Sequence, residues 1–232
     1  YVKLGLTANA NEQDGDESSL NAADLTMRLA SESWLKVQQA ESEGLVALPV
    51  MSSDGGFEFN GYDPGSFVNA KAEASRADLS IRLSDLVNFA DARVTMYVQD
   101  VGAGYSAPGM TALTDTRTYG GTISMPIAER ISLGAKLDSR EQALGLNTRA
   151  AEVNIGYQFS DQWEVSTGYR QDERTDQSAI VPLTQEEGER ADLVMQVGYE
   201  SFGNWNTYAF VQDTVSSTGS RRDNGRAGVG GS

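Results

Sequence analysis

Apolar and polar residues alternate along most of the chain with a period of two. The clearest example runs from Asn147 to Gln171, where two alternating segments flank the polar stretch Ser160–Gln162. Successive side chains of a strand point to opposite faces, so the segment predicts an antiparallel hairpin with one apolar and one polar face. Each half has about ten residues, the length that a tilted strand needs to cross a bilayer. The apolar side chains of this hairpin are Ala151, Val153, Ile155, Tyr157, Phe159, Trp163, Val165 and Tyr169.

The same alternation recurs along the whole chain and predicts about twelve strands. No segment combines capped ends with an apolar period of 3.6 residues, so no helix is predicted. One segment, Ser19–Leu29, has a weak helical face, but the alternation of Leu25, Met27 and Leu29 favours a strand. Pro126 has no backbone donor and is expected at a strand end, an edge or a bulge. The predicted fold is therefore all-β and antiparallel, with residues 1–232 forming a single domain.

Short and long connections alternate between the predicted strands. In an up-and-down sheet this places the short turns at one end and the long loops at the other, as in outer-membrane barrels. A soluble sandwich has Greek-key crossings and gives no reason for such an order. The longest loop, 41–66, is rich in turn residues and apolar residues, and we expect it to fold back or to contain a short hairpin. Short turns are predicted near residues 31, 87, 128, 161 and 203, and longer loops at 9–19, 41–66, 102–114, 139–146, 172–189 and 216–224.

Aromatic residues cluster beside the predicted short turns. Membrane barrels carry such residues as a girdle at the lipid–water interface, where a ring is half wet. The alternative is that aromatic residues simply favour strands. The girdle candidates are Trp34, Phe89, Phe159, Trp163, Tyr199 and Trp205.

Charged residues of both signs occupy the polar parity of the strands. If the apolar face meets lipid, these residues line a lumen, where rings of charge set ion selectivity. The alternative, favoured for any single residue, is that they form cross-strand pairs that satisfy one another. The lumen-facing candidates are Asp78, Arg82, Arg93, Lys136, Asp138, Glu152, Glu164, Arg170 and Asp192.

Composition narrows the chemistry that the chain can perform. A formal net charge of -15 argues against a nucleic-acid partner, which needs clustered Lys and Arg. The chain has 0 Cys and 0 His, which excludes disulfides, the usual zinc ligands and catalysis by either side chain. The acidic run Asp14–Glu17 lacks the rest of a calcium loop, and no Gly-rich motif sits in a strand-to-helix turn. No enzyme activity, metal site or cofactor is predicted.

The segment Ala151–Arg170 resembles hairpins of Gram-negative outer-membrane β-barrel proteins. The chain as a whole is similar in texture to the membrane barrel portion of large alphaproteobacterial surface proteins. The resemblance implies a transmembrane barrel or barrel fragment in the bacterial outer membrane, in contact with the lipid bilayer and lipopolysaccharide. It carries no catalytic motif. The aromatic residue that commonly closes the last strand in this class is missing, which favours a chain cut from a longer precursor.

The function expected from this resemblance is passive. The chain is predicted to be a pore for small solutes or ions, or an anchor for exported surface domains. The alternative is a soluble or surface-exposed all-β adhesion module, in which the apolar face is a protein core. A third hypothesis, an outer-membrane hydrolase, lacks the usual histidine base. The sequence does not indicate an oligomeric state.

Overall fold

The computed structural model describes residues 1–11, 17–44, 50–51, 60–61, 71–86, 91–108, 110–178, 186–201, 203 and 205–232. Strands account for most of these residues. The strands are β1 (Val2–Asn11), β2 (Ser18–Arg28), β3 (Trp34–Glu43), β4 (Val50–Met51), β5 (Asn60–Gly61), β6 (Lys71–Arg82), β7 (Arg93–Val101), β8 (Ser106–Ala107), β9 (Met110–Thr111), β10 (Thr116–Ala128), β11 (Ile131–Gln142), β12 (Leu146–Gln158), β13 (Trp163–Asp176), β14 (Gly188–Ser201), β15 (Trp205–Ser217) and β16 (Arg226–Gly231). A 3-10 helix, Leu83–Asp85, follows β6.

Twelve strands form one antiparallel sheet in the order β1-β2-β3-β6-β7-β10-β11-β12-β13-β14-β15-β16. Each long strand pairs with the next along the chain, so the sheet is an up-and-down meander, and the predicted all-β antiparallel fold with about twelve strands is confirmed. Among the described residues, β1 and β16 each pair with a single neighbour, which leaves the sheet with two free edges. The segment with the weak helical face is strand β2, and Pro126 lies at a register shift of the β10–β11 pair.

The register of the strands keeps the apolar and the polar positions of the alternation on separate faces across the sheet. On β12, Val153 pairs with Ala135 of β11 and with Tyr169 of β13, while Glu152 pairs with Lys136 and Arg170. Residues that pair directly share a face, because the pleat of neighbouring strands is in phase. We call the face that carries Val153 the apolar face and the face that carries Glu152 the polar face.

Several strands extend past the apolar alternation that predicted them. Strand β11 continues to Gln142 and β12 begins at Leu146, so only residues 143–145 connect them instead of the predicted loop 139–146. The backbone ladder continues through polar pairs such as Ser139 with Arg149, because strand hydrogen bonds do not depend on apolar side chains. At the opposite end, the β6–β7 connection spans 83–92 and is longer than the tight turn predicted near residue 87. The longest loop contains the β4–β5 pair, so the predicted short hairpin is present.

The apolar face is exposed. Leu4 is 67% exposed, Leu137 62% and Val229 84%, although all three lie within strands of the sheet. In the described part of the chain, the buried apolar cluster consists of Leu20, Ala72, Val101 and Tyr105. That cluster is too small to be the core of a soluble 12-stranded domain. None of the described residues forms a helix that is both long and apolar enough to cross a membrane.

Candidate functional site

The apolar face forms a band with an aromatic border at the short-turn end. Phe159 stacks on Trp163 with ring centroids 6.2 Å apart, Trp163 meets Tyr199 edge-on at 4.9 Å, and Tyr199 lies 5.0 Å from Trp205. Four of the six girdle candidates are thus in contact across strands β12 to β15. Trp34 lies apart from them, because it pairs with Arg28 and Ser80 on the polar face. Phe89 lies outside the described residues.

A charged rim limits the same face at the long-loop end. Asp100, Arg117 and Glu141 share one register row there, and Arg117 Nε lies 3.5 Å from Asp100 Oδ1. A groove of about 820 Å³ runs along this rim. On β12 the apolar residues extend from Ala151 to just beyond the strand at Phe159, roughly 27 Å along the chain at about 3.4 Å per residue. The apolar face is therefore a band whose height compares with the hydrocarbon region that a membrane barrel crosses.

All nine lumen-facing candidates lie on the polar face. Four of them form one row across consecutive strands, Lys136–Glu152–Arg170–Asp192, in which positive and negative side chains alternate. Arg170 Nη1 lies 3.4 Å from Glu152 Oε2, and Thr214 Oγ1 donates to Asp192 Oδ1 at 2.7 Å. Cross-strand pairing, the alternative considered from the sequence, therefore occurs on this face.

The other candidates are paired in different ways. Arg82 donates to both oxygens of Asp91 at 2.5 and 2.6 Å, and Arg93 contacts Glu32 at 3.0 Å. Arg76 donates to both oxygens of Asp78 at 2.8 and 2.7 Å. Glu164 lies in register with Gln158 and Gly198.

Asp138 is paired twice on the polar face. Lys136 Nζ lies 3.1 Å from Asp138 Oδ2, and the hydroxyl of Tyr97 donates to Asp138 Oδ1 from two strands away. Gly120 lies between them, and a Cβ at that position would stand 2.9 Å from the Tyr97 ring. The glycine therefore leaves the space in which the tyrosine reaches across the intervening strand.

The β15–β16 loop folds onto the polar face through Arg221. This arginine contacts Asp172 Oδ2 through Nη2, and its Nη1 lies 3.6 Å from Glu186 Oε2. Both Arg221 and Asp172 are 6% exposed, and Arg190 Nη2 approaches Asp172 Oδ1 at 3.6 Å. Burial lowers the pKa of the Arg221 guanidinium from its ordinary value, and the Asp172 carboxylate opposes that shift. We call this cluster, Arg221 with Asp172, Glu186 and Arg190, the ionic loop contact.

The β7–β10 loop also folds onto the polar face, through Tyr105. The tyrosine ring packs with Leu20, Ala72 and Val101, and the backbone N–H of Ser106 donates to Ser42 Oγ at 2.9 Å. Burial raises the pKa of the Tyr105 phenol. We call this cluster, Tyr105 and Ser106 with Leu20, Ser42, Ala72 and Val101, the apolar loop contact.

Neither loop contact was predicted from the sequence. In the sequence, the signal for the apolar loop contact was that the apolar residues change from one parity to the other within β6. Ala72 and Ala74 lie on the polar face, whereas Ala77 and Leu79 lie on the apolar face of the same unbroken strand. For the ionic loop contact, the sequence showed Asp172 only as one of many acidic residues in the predicted loop 172–189.

Charge is divided unequally between the two faces. On the strands, the polar face carries nine carboxylates and twelve cationic side chains, whereas the apolar face carries eight carboxylates and three cations. The twelve cations are Lys3, Arg28, Lys36, Arg76, Arg82, Arg93, Lys136, Arg140, Arg170, Arg174, Arg190 and Arg226, and the nine carboxylates are Asp24, Asp78, Asp138, Glu152, Glu164, Asp172, Asp176, Asp192 and Glu200. Two cavities, of about 520 and 340 Å³, open on this face between β7 and β16. Among the residues that the structure describes, no group of three or more acidic side chains is placed to hold a metal ion.

Comparisons with known proteins find similar folds but no family. No family model matches the chain, and no curated protein matches it. An outer membrane channel from Pseudomonas putida F1 is similar at 10% identity and a TM-score of 0.48, over 98% of this chain and 91% of that one. OmpT, an outer membrane protein of Vibrio cholerae, is similar at 13% identity and a TM-score of 0.45, over 99% of this chain and 94% of that one. Because both TM-scores lie below 0.5, the fold assignment rests on this chain's own strand pairing.

Proposed function

We propose that the chain is a transmembrane β-barrel of the bacterial outer membrane that acts as a passive pore. The observation that carries this proposal is the apolar band, exposed to the surroundings and bordered by aromatic rings at one end and a charged rim at the other. An exposed apolar surface of this extent indicates that a membrane or a partner covers it. Lipid covers a band of this shape, with the aromatic rings at one interface and the rim among the headgroups, including those of lipopolysaccharide.

The free edges of β1 and β16 support closure into a barrel. Unpaired strand edges do not persist in the hydrocarbon region, because each backbone group without a partner there costs several kcal/mol. Twelve strands is an even number, so the two edge strands β1 and β16 run antiparallel to each other. We therefore propose that β1 pairs with β16 when the sheet is in a membrane, which places the polar face inside.

Open space on the polar face favours a pore over a pure anchor. The two cavities between β7 and β16 are lined mainly by polar and charged residues, and such a lining keeps a lumen hydrated. A closed lumen would instead support the function of an anchor, as in the barrel portion of an alphaproteobacterial surface protein.

The proposal is tested by refolding the 232-residue chain into detergent and then into planar bilayers. The expected results are heat-modifiable migration on a gel and stepwise conductance in the bilayer. Heat-modifiable migration without conductance would support the anchor. A chain that stays monomeric and stable without detergent would contradict the membrane assignment itself.

A matched pair of variants tests which face meets lipid. Val153→Arg places a charge in the apolar band, and Asn154→Arg places the same charge on the polar face one residue along the strand. The first is expected to cost about 2–4 kcal/mol of membrane stability, as arginine does near the middle of the lipid face. The second is expected to insert like the unmodified chain. The measurement is the free energy of unfolding from lipid vesicles in urea, and equal effects of the two variants would contradict the assignment of faces.

A further inference from the structure

We propose that the pore prefers small anions, although the chain as a whole is acidic, and that Arg140 is the side chain that contacts them. This inference rests on the proposed pore function and adds the class of solute. The juxtaposition behind it is an arginine that has no ion pair among the described residues and lies between two threonines, beside a cavity on the polar face.

The charge of the whole chain does not describe the charge of its lumen. The formal net charge is -15, but the strand residues of the polar face carry three more cations than carboxylates. The negative charge lies in the loops and on the rim of the apolar face. An ion inside the lumen responds mainly to the side chains that line it, because charges beyond about 8–10 Å are largely screened at physiological salt.

Three carboxylates line the 340 Å³ cavity. Glu173 lies on the apolar face in register with Arg149, and the two carboxylates of the polar face are engaged by other groups. Asp138 is held by Tyr97 and Lys136. Asp172 is held by Arg221, with Arg190 and Arg174 at 3.6 and 3.7 Å. Their negative charge is therefore compensated where they stand.

Arg140 differs from Arg170 and Arg174, the other arginines of the polar face at this cavity. Within the part of the chain that the structure describes, it has no carboxylate within ion-pair distance, and its side chain is exposed. Arg170 is paired with Glu152 at 3.4 Å, and Arg174 lies near Asp172. An unpaired guanidinium keeps its donors for a solute, and its fork geometry suits a carboxylate or phosphate.

The neighbours of Arg140 are hydroxyls. In the register it lies directly opposite Thr118 of β10 and Thr148 of β12, and both threonines line the same cavity. A small oxyanion beside Arg140 therefore meets hydroxyl donors on either side and no adjacent carboxylate in that row. Acetate and inorganic phosphate are such oxyanions, and chloride is a smaller anion that accepts hydrogen bonds from the same donors.

The apolar loop contact directs solutes to this side of the lumen. Tyr105 and Ser106 cover the polar face at β2, β3, β6 and β7, where the strands present Leu20, Ala72 and Val101. The cavities lie farther along the sheet, between β7 and β16. The open path therefore passes Arg140 rather than the alanine-rich strands.

The test is the reversal potential of the full chain in a planar bilayer under a tenfold KCl gradient. The expected sign is that of anion selectivity. Arg140→Gln is expected to lower the permeability ratio of chloride over potassium by roughly threefold, because one uncompensated charge is removed from the path. Acetate and inorganic phosphate, each replacing chloride on one side, then show which oxyanion the path admits.

Lys71→Gln is the matched control. Lys71 is also exposed, but it lies on the apolar face in register with Glu43, pairs with Glu41 at 2.9 Å, and lines neither of the two cavities. Its substitution changes the net charge equally and is expected to leave the selectivity unchanged. Cation selectivity of the unmodified chain, or equal shifts in the two variants, would overturn the inference while leaving the pore in place. Absence of conductance would instead overturn the proposed function.

Discussion

Two loops fold onto the polar face of this sheet, and they are held there by opposite kinds of chemistry. The β7–β10 loop packs Tyr105 against Leu20 of β2, Ala72 of β6 and Val101 of β7. The β15–β16 loop inserts Arg221 against Asp172 and Glu186. Both clusters are buried and both lie on the long-loop side of the sheet. They differ in what happens when a single member is lost.

The comparison shows why a buried ionic contact depends on all of its members. Loss of a ring from the apolar loop contact leaves a void, and the cost is lost packing. Loss of the Asp172 carboxylate from the ionic loop contact leaves the buried Arg221 near the partly exposed Arg190 and Arg174 without that compensation. In addition, Nε and Nη1 of Arg221 are buried without a hydrogen-bond partner among the described residues, so hydrogen bonds of these two atoms do not offset the loss of a carboxylate. Three substitutions test this difference between the ionic and the apolar loop contacts.

The largest effect is expected from Asp172→Ala. This carboxylate is shared by Arg221, Arg190 and Arg174, so its removal is expected to cost about 3–5 kcal/mol, as for other broken buried ion pairs. The measurement is the urea unfolding midpoint in detergent micelles. Glu173→Ala is the control, because Glu173 is the next residue, exposed, on the apolar face. Equal effects of the two substitutions would show that burial of Asp172 is not what matters.

An intermediate effect is expected from Tyr105→Ala. Removing the ring exposes Leu20, Ala72 and Val101, and the loss of packing is expected to cost about 3 kcal/mol. Limited proteolysis of the β7–β10 loop reports whether the loop is released. Tyr105→Phe keeps the ring and is expected to protect the loop as the unmodified chain does. A loop that is released equally by both variants would mean that the hydroxyl, not the ring, holds it.

The smallest effect is expected from Ser42→Ala. This substitution removes the acceptor of the Ser106 backbone N–H and is expected to cost about 1 kcal/mol, the usual contribution of one hydrogen bond. Hydrogen exchange at the Ser106 amide is the direct measurement, and faster exchange is expected. Ser75→Ala, on the neighbouring strand and the opposite face, is expected to leave that amide unchanged.

The sequence alone determined the strand content and the assignment of side chains to faces. A period of two has one structural meaning in a strand, so the parity of Val153 and Glu152 followed from the alternation before any pairing was known. For the same reason all nine charged candidates were predicted on one face. The boundaries were less accurate, because apolar alternation marks where the face is apolar and not where the backbone ladder ends, as β11 and β12 show.

Only the tertiary structure decided which residues meet across strands. The parity of Asp172 was readable, but its partner Arg221 lies 49 residues away in a loop. Trp34 stood beside a short turn like the other aromatic candidates, yet the register shows that it lies opposite Arg28 and Ser80. Arg140 and Arg149 are both exposed arginines on adjacent strands, and only the register shows that the first lies opposite Thr118 and Thr148 and the second opposite Ser139 and Glu173. Strand pairing fixes such relations, because a shift of one residue would exchange the two faces.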